Sequence, residues 1–398
     1  MYSKTYIPYR GYFSSPFARW QGTLQNEHPV ELGAATAKRW LGKRGFDPKM
    51  FDYLFLGVSV AHHRMFYAAP WAAALMGADH IAACHIPQAC STGTTCMNQA
   101  ALGIEAGIYS NVLYLGADRT SNGPHTVWPN PGGMGGQVIS ENWMMDNINI
   151  DPWGGVPMIQ TAEKVVKTVG GISREQCDEV ALRRYEQYMD GMTNDRVFQK
   201  KYMFPVEYKK ARKEIGVLEQ DEGITRRAKE VLAGLKAAIE GGAHTTGSQT
   251  HPADGNCGVI LTTREKAKEL STDPKIEIRV LSYGFARAGK ALMPMAPVPA
   301  ARMALDAAGV GIKEMKAVKT HNPFVVNDIY MANEMNIDVM GFNNYGCSLI
   351  FGHPQGPTVG RIVMELIEEL VMKGGGYGLF TGCAAGDTGA ALVIKVTG

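Results

Sequence analysis

The sequence predicts an α/β fold built from two related halves, and three observations carry that reading. Apolar runs alternate with helical stretches: Phe51–Ala61 (FDYLFLGVSVA) and Asn111–Ala117 (NVLYLGA) read as buried strands with helices between them. The alternation returns after residue 244, with a strand over Ile276–Tyr283 and a helix over Pro299–Ala308. Third, the regions around Cys90 and His353 repeat one another weakly. Each has a turn bearing a reactive side chain, then small residues, a helix (Thr94–Gly107; Pro357–Lys373) and a strand ending in glycine (VLYLGAD; YGLFTGC).

Taken in order, the chain opens with a strand and a helix around Pro29–Gly42. After the Phe51 strand, His62, His63, Arg64, Phe66 and Tyr67 read as loop residues near a pocket, because adjacent side chains on a strand would face opposite ways and could not share a metal. The helix Pro70–Gly77 leads into IAACHIPQACSTGTTCMNQAALGIEAG, from Ile81 to Gly107. Cys84 and Cys96 read there as buried small hydrophobes. Cys90 sits at the turn that opens the helix, where free N–H groups and the macrodipole favour a thiolate. On this stretch alone, a nucleophile and a buried apolar thiol are equally good readings.

From residue 119 to 243 the texture changes to Trp, Met, Pro and Gly and then to charged helices, which reads as an insertion covering something. Ser173 with Gln176 marks one helix start. Lys209, Lys210, Arg212, Lys213 and the pair Arg226-Arg227 read as solvated helix faces or as contacts to a phosphorylated ligand. Gly284 to Lys290 imitates a phosphate-binding loop, but Ala291 lacks the hydroxyl that magnesium needs there.

Composition bounds the function. The 398 residues suffice for two core-sized units. A net charge of +2 without a basic block gives no nucleic-acid footprint. No apolar run reaches the length of a membrane span, and MYSKTYIPYRGYF lacks a signal-type apolar region, so a cytoplasmic protein is expected. Seven scattered cysteines without a C-x-x-C pair predict reduced thiols, no disulfide framework and no metal site. Pseudo-twofold symmetry would bring Cys90 and the Gly352-His353-Pro354 turn together.

Four motifs in this order resemble the thiolase family over nearly the whole chain: Cys90 followed by S-T-G, H-P-A-D-G at His251–Gly255, G-H-P at Gly352–Pro354, and G-C-A-A-G-D-T-G at Gly382–Gly389. The resemblance also takes in the insertion and the stretch Met158 to Glu163. It implies a duplicated five-layered αβαβα fold: residues 1–118 with 244–268 as one half, 269–398 as the other, and 119–243 as a lid over coenzyme A. It implies Cys90 as the acyl-accepting nucleophile, His353 as its base and Cys383 as a second acid/base. The N–H groups of Cys90 and Ala385 would serve one oxyanion, and His321 with His353 the thioester oxygen. Coenzyme A would be a co-substrate, contacted by Arg226, Thr250 and Met158, with no permanently bound cofactor.

The sequence departs from the commonest family pattern in two places. His321-Asn322-Pro323-Phe324 stands where N-E-A-F is usual, and Ala385 and Asp387 replace glycines. His-led thiolases with altered C-terminal loops resemble those that work with a small zinc-bearing, OB-like second subunit, and the family implies a homodimer core. The expected reaction is cleavage of a β-ketoacyl-CoA by CoA. The aromatic residues near Arg64 point to an aryl substrate with a carboxylate, such as benzoylsuccinyl-CoA, with Arg64, Phe66 and Tyr67 as its contacts. The alternatives are an acetyl-CoA C-acetyltransferase and a non-catalytic thiolase-like protein that binds acyl-CoA or lipid. A cysteine hydrolase would leave Cys383 unexplained.

Overall fold

In a computed structural model that describes residues 1–210 and 214–398, the chain opens with short strands β1 (Tyr6–Ile7), β2 (Tyr12–Ser14) and β3 (Ala18–Arg19). Helix α1 (Pro29–Arg44) begins on a proline, which forfeits no hydrogen bond in a first turn, and stops at Gly45 with φ +69°. Then come β4 (Tyr53–Gly57), α2 (Ala68–Met76), β5 (Ala82–Ile86), α3 (Thr92–Glu105) and β6 (Asn111–Arg119).

The region read as an insertion holds two hairpins, β7 (His125–Pro129) with β8 (Val138–Asn142) and β9 (Val206–Lys209) with β10 (Ile215–Leu218). Its helices are α4 (Trp143–Asn149), α5 (Met158–Val169), α6 (Arg174–Arg196) and α7 (Lys229–Ala233). The Ser173 hydroxyl caps α6 by accepting the Gln176 N–H at 3.2 Å. After the insertion, β11 (Ala253–Thr262) and α8 (Arg264–Leu270) return to the first half, and the second half runs β12 (Glu277–Arg287), α9 (Pro297–Ala308), β13 (Met315–His321), α10 (Val325–Met335), α11 (Ser348–Phe351), α12 (Gly356–Met372), β14 (Gly376–Ala384) and β15 (Thr388–Thr397).

The strand pairing carries the duplication. In the first half β4 and β6 are parallel, β6 and β11 antiparallel, and β11 and β2 antiparallel. In the second, β13 and β14 are parallel, β14 and β15 antiparallel, and β15 and β12 antiparallel. Strand β1 joins the halves by pairing with both β11 and β12.

Five layers result. Helices α1 and α2 cover the outer face of the first sheet, α3 and α12 lie between the sheets, and α9 covers the outer face of the second. Separate apolar cores fill the outer layers, and the largest core surrounds the central helices. Close approach at the centre depends on Gly93, where a Cβ would stand 2.8 Å from Val359 Cβ and 2.6 Å from the Tyr114 hydroxyl. Helix α12 is buried on every side, so its polar groups are paired internally; the Arg361 guanidinium donates two bonds to Asp221, at 2.6 and 2.7 Å. No helix among the described residues is long and apolar enough to cross a membrane.

Cys96 is buried on α3, as its sequence context predicts, but Cys84 is exposed. Strand β5 is the outermost strand of its half, so the apolar run IAACHI faces solvent where an inner strand would be covered.

Candidate active site

Cys90 lies in the single 3₁₀ turn Ala89–Ser91 that precedes α3. The turn is held by Thr92, whose hydroxyl donates to the Ala89 carbonyl and accepts the Gln88 N–H, both at 2.8 Å. Ala89 adopts φ +44°, a strained conformation for a residue with a Cβ, so surrounding contacts must hold it. The Cys90 thiol donates to Gln355 Oε1 at 3.4 Å. Burial pushes this thiol up to about 12, with the N–H groups of Ala385 and of Cys90 itself opposing the rise. This direction runs against the thiolate expected from the position of the turn. A helix terminus contributes only ~0.3–1 kcal/mol, less than one pKa unit, and the cost of desolvating an anion exceeds it.

His353 comes from the opposite half. Gly352 turns the chain at φ +88°, and a Cβ there would lie 2.6 Å from His251 Cε1. The His353 N–H donates to the His251 carbonyl at 2.9 Å, which is the structural work of the H-P-A-D-G motif. Its Nδ1 lies 2.7 Å from the Thr358 hydroxyl, its Nε2 has no partner, and burial pushes its pKa down to about 3. Asp118 ties the halves together by accepting N–H groups from Ser59 and Val60 after β4 and from Gly356 at the start of α12. Burial raises its carboxyl to about 7.

His321 ends β13. Its Nδ1 lies 2.8 Å from Ser348 Oγ and its Nε2 is unpartnered. Burial, and then the neighbouring His353, hold its pKa well below the ordinary histidine value. Cys383 lies near the end of β14 and accepts the Asn327 amide N–H at 3.2 Å. Burial raises this thiol well above its usual range, and Cys90 adds to the rise. One ring nitrogen from each of His321 and His353 and the Cys90 sulfur all lie within 4.8 Å of one another. The arrangement thus offers a neutral thiol, a neutral imidazole able to take its proton, a second imidazole and a second thiol.

A cavity of about 330 Å³ opens above Cys90 and is lined also by His353, Ala385, Thr250 and Met158. Helices α4 and α5 contribute Trp143, Met144, Ile148 and Met158 to its lining, and Met293 and Phe324 line it as well. Four expected contacts lie elsewhere. Arg226 is exposed and pairs with Glu230 at 3.6 Å. Phe66 and Tyr67 are 90% and 69% exposed, and Arg64 beside them is exposed too, because the segment after β4 turns outward into its own short helical turn. His62 is held away from the cavity by the Arg119 guanidinium at 3.1 Å. Arg227 is buried and donates to the carbonyls of Gly247 and Leu349, so it is neither a solvated face nor a phosphate contact. Arg212 and Lys213 lie outside the described residues.

The sequence reading missed Asn327, Ser348, Gln355 and Thr358. Gln355 and Thr358 fall two and five residues after His353, and Asn327 in the first turn of α10, so proximity to a motif was the only available signal.

Comparison with known proteins identifies the family and the fold. The family profile described as "Thiolase, N-terminal domain" matches residues 13–265, and "Thiolase, C-terminal domain" matches residues 274–396. A 3-ketoacyl-CoA thiolase of Pectobacterium atrosepticum is 29% identical over 425 aligned positions, covering 96% of this chain and 95% of that protein. The crystal structure of the Bacillus anthracis acetyl-CoA acetyltransferase superposes with a TM-score of 0.90 at 27% identity, over 99% of both chains. The human mitochondrial 3-ketoacyl-CoA thiolase in complex with CoA does so with a TM-score of 0.89 at 25% identity, over 99% of this chain and 98% of that one.

Proposed function

The chain belongs to the thiolase family, and from that premise we propose that it cleaves a β-ketoacyl-CoA with CoA into two acyl-CoAs through an acyl group carried on Cys90. The observation that carries this reading is the convergence of the Cys90 sulfur with a ring nitrogen of His321 and of His353, within 4.8 Å, on a cavity bounded by Ala385.

In the proposed cycle His353 Nε2 takes the Cys90 proton as the sulfur attacks the keto carbon. The bond to the α-carbon breaks, and Cys383 protonates the carbanion that leaves as an acyl-CoA. The thiolate of Cys383 then removes the proton of incoming CoA, whose sulfur takes the acyl group from Cys90; His353 returns its proton to the released Cys90 sulfur, so both cysteines end as thiols and the imidazole is neutral again. The N–H groups of Cys90 and Ala385 stabilise the oxyanion on the acyl carbon; Nε2–H groups of His321 and His353 serve the thioester oxygen. Asn327, as a donor to Cys383, favours the thiolate that the cycle requires. Coenzyme A enters and leaves as substrate past Thr250 and Met158.

We read the acyl group as bulky and aryl. Trp143, Phe324 and the methionines beside them give broad apolar surface for a ring. A benzoylsuccinyl group is the carboxylated member of that class, but no Lys or Arg lines the cavity among the described residues. Its carboxylate would have to point outward. A homodimer core belongs to the same reading. A zinc-bearing OB-like second subunit would find exposed Val127, Trp128, Val138 and Ile139 on the β7–β8 hairpin. The protein would work in the cytoplasm.

The test is a thiolysis assay over short-chain and aryl β-ketoacyl-CoAs, following loss of the keto thioester, with the chain alone and then with cell extract. Cys90→Ser should abolish turnover. Cys383→Ser should slow carbon–carbon cleavage more than it slows acylation of Cys90 by an acyl-CoA, because a CoA thiolate leaves more readily than a carbanion. No cleavage of any member under either condition would leave a non-catalytic acyl-CoA binder.

A further inference from the structure

We propose that Cys90, His321 and His353 form a reversible binding site for a zinc-class divalent cation, and that the bound metal switches the enzyme off. Sequence spacing hides this set, because more than two hundred positions separate the cysteine from the histidines. The fold brings their ligand atoms within 4.8 Å of one another.

Two further observations point to a ligand. Both Nδ1 atoms are engaged, His321 with the Ser348 hydroxyl at 2.8 Å and His353 with the Thr358 hydroxyl at 2.7 Å. Both Nε2 atoms are left without a partner, in side chains that are 1% and 5% exposed. A hydroxyl accepts as readily as it donates, so each can hold an Nδ1–H and leave Nε2 as a lone pair. Such outer contacts fix a ligating imidazole in most metal sites.

One thiolate and two imidazoles with a free fourth position is a donor set that zinc takes in tetrahedral geometry. Zinc–sulfur and zinc–nitrogen bonds of ~2.3 and ~2.0–2.1 Å give edges of roughly 3.3–3.6 Å, so the three atoms need close by at most about 1.5 Å. Binding is balanced: the Cys90 S–H bond breaks, its proton leaves to solvent, and a sulfur–metal bond forms. The cation supplies the charge that makes the buried thiolate tolerable, which no other group at the site does in the resting enzyme. The metal occupies the positions that the nucleophile and both imidazoles need during turnover, so it competes with acyl-CoA and shields the sulfur from oxidation.

Cobalt(II) reads the site without turnover, so the result is independent of the thiolase reading. The full chain should bind one equivalent, with tetrahedral d–d bands and a thiolate-to-cobalt charge-transfer band, and zinc should displace it. Cys90→Ser should remove the charge-transfer band. Thr358→Val should weaken cobalt binding by ~10–100-fold, as loss of an outer-shell partner does elsewhere. Cys84→Ser, which removes an exposed thiol that does not line the cavity, should change neither the spectrum nor the affinity. In the assay, zinc should raise the apparent KM for acyl-CoA, and a chelator should restore it. A spectrum without the charge-transfer band at one equivalent, a band that survives Cys90→Ser, or one lost in Cys84→Ser would overturn the proposal.

Discussion

The imidazole rings of His321 and His353 lie 4.1 Å apart between centroids and are tilted by 35°, each steadied by one hydroxyl. Two imidazolium ions would repel at that distance, and burial disfavours either one, so both rings stay neutral. A neutral ring can present an Nε2–H to a developing oxyanion without carrying charge into the cavity. We expect His321→Ala to lower kcat/KM for a β-ketoacyl-CoA by about 10²–10³-fold, the usual loss for one oxyanion donor. The pH–rate profile of the wild type should show no limb near pH 6–7, because neither ring titrates there. A limb in that range that disappears in His321→Ala would refute the neutral pair.

The same burial sets the acid sensitivity. His353 is held down to about 3, whereas the unfolded chain takes up this proton near 6.5. Its contribution to stability is complete above about pH 6.5 and is lost as pH falls towards 3, at up to ~1.4 kcal/mol per pH unit. Asp118 works the other way. With its carboxyl raised to about 7, the folded chain holds a proton that the unfolded chain releases, so acid stabilises it across that window. The two effects oppose each other in the wild type. His353→Asn removes only the first, so its stability should fall less steeply from pH 6 to pH 5 than that of the wild type, by about 1.2 kcal/mol. Urea titrations at both pH values check this; equal slopes would show that His353 titrates alike in both states.

Thiol reactivity should separate two cysteines that the sequence places in one stretch. Cys84 is exposed on an edge strand, and Cys90 is a neutral thiol on the cavity floor. In the absence of substrate, iodoacetamide at pH 7.5 should label Cys84 before Cys90. Labelling of Cys90 should then rise about tenfold per pH unit through pH 9 without levelling, as expected of a thiolate fraction governed by a pKa near 12. An acyl-CoA should acylate Cys90 and leave Cys84 free. Peptide mass spectrometry distinguishes them, and a Cys90 signal that comes first and levels off below pH 9 would mean a resting thiolate.

These outcomes mark where the sequence is legible. Strands and helices of the two halves follow from apolar runs and small-residue helices, and the weak repeat around Cys90 and His353 corresponds to the repeated strand pairing. The pairing of Cys90 with His353 follows from that symmetry. The protonation state of Cys90 does not, because burial is a property of the assembled cavity and no local pattern encodes it. The exposed edge at Cys84 escapes for the same reason: an apolar run has the same letters at an edge as at the centre of a sheet. The place of the Arg64 loop after a strand suggests a cavity wall, but that wall comes from Trp143 and Met144, in a segment whose position over the cavity depends on the folded insertion.

The residues of that wall govern substrate choice. Trp143, Phe324 and Met158 present apolar faces, and no cation lines the cavity among the described residues. A carboxylate drawn inside would lose its hydration with no partner, at a cost of several kcal/mol. A phenyl ring would gain apolar burial and an aromatic contact worth ~0.5–1.5 kcal/mol beyond it. An uncharged aryl substrate, benzoylacetyl-CoA, should therefore be cleaved with a higher kcat/KM than both acetoacetyl-CoA and a carboxylated aryl analogue. Trp143→Ala should cost the aryl substrate roughly 2–12-fold more than acetoacetyl-CoA, the rate equivalent of that aromatic contact. Arg64→Ala should change neither. Equal losses for both substrates in Trp143→Ala would make the tryptophan a packing residue and return the choice to a short-chain acyl group. A specific loss of the carboxylated substrate in Arg64→Ala would show that the exposed loop reaches the substrate after all.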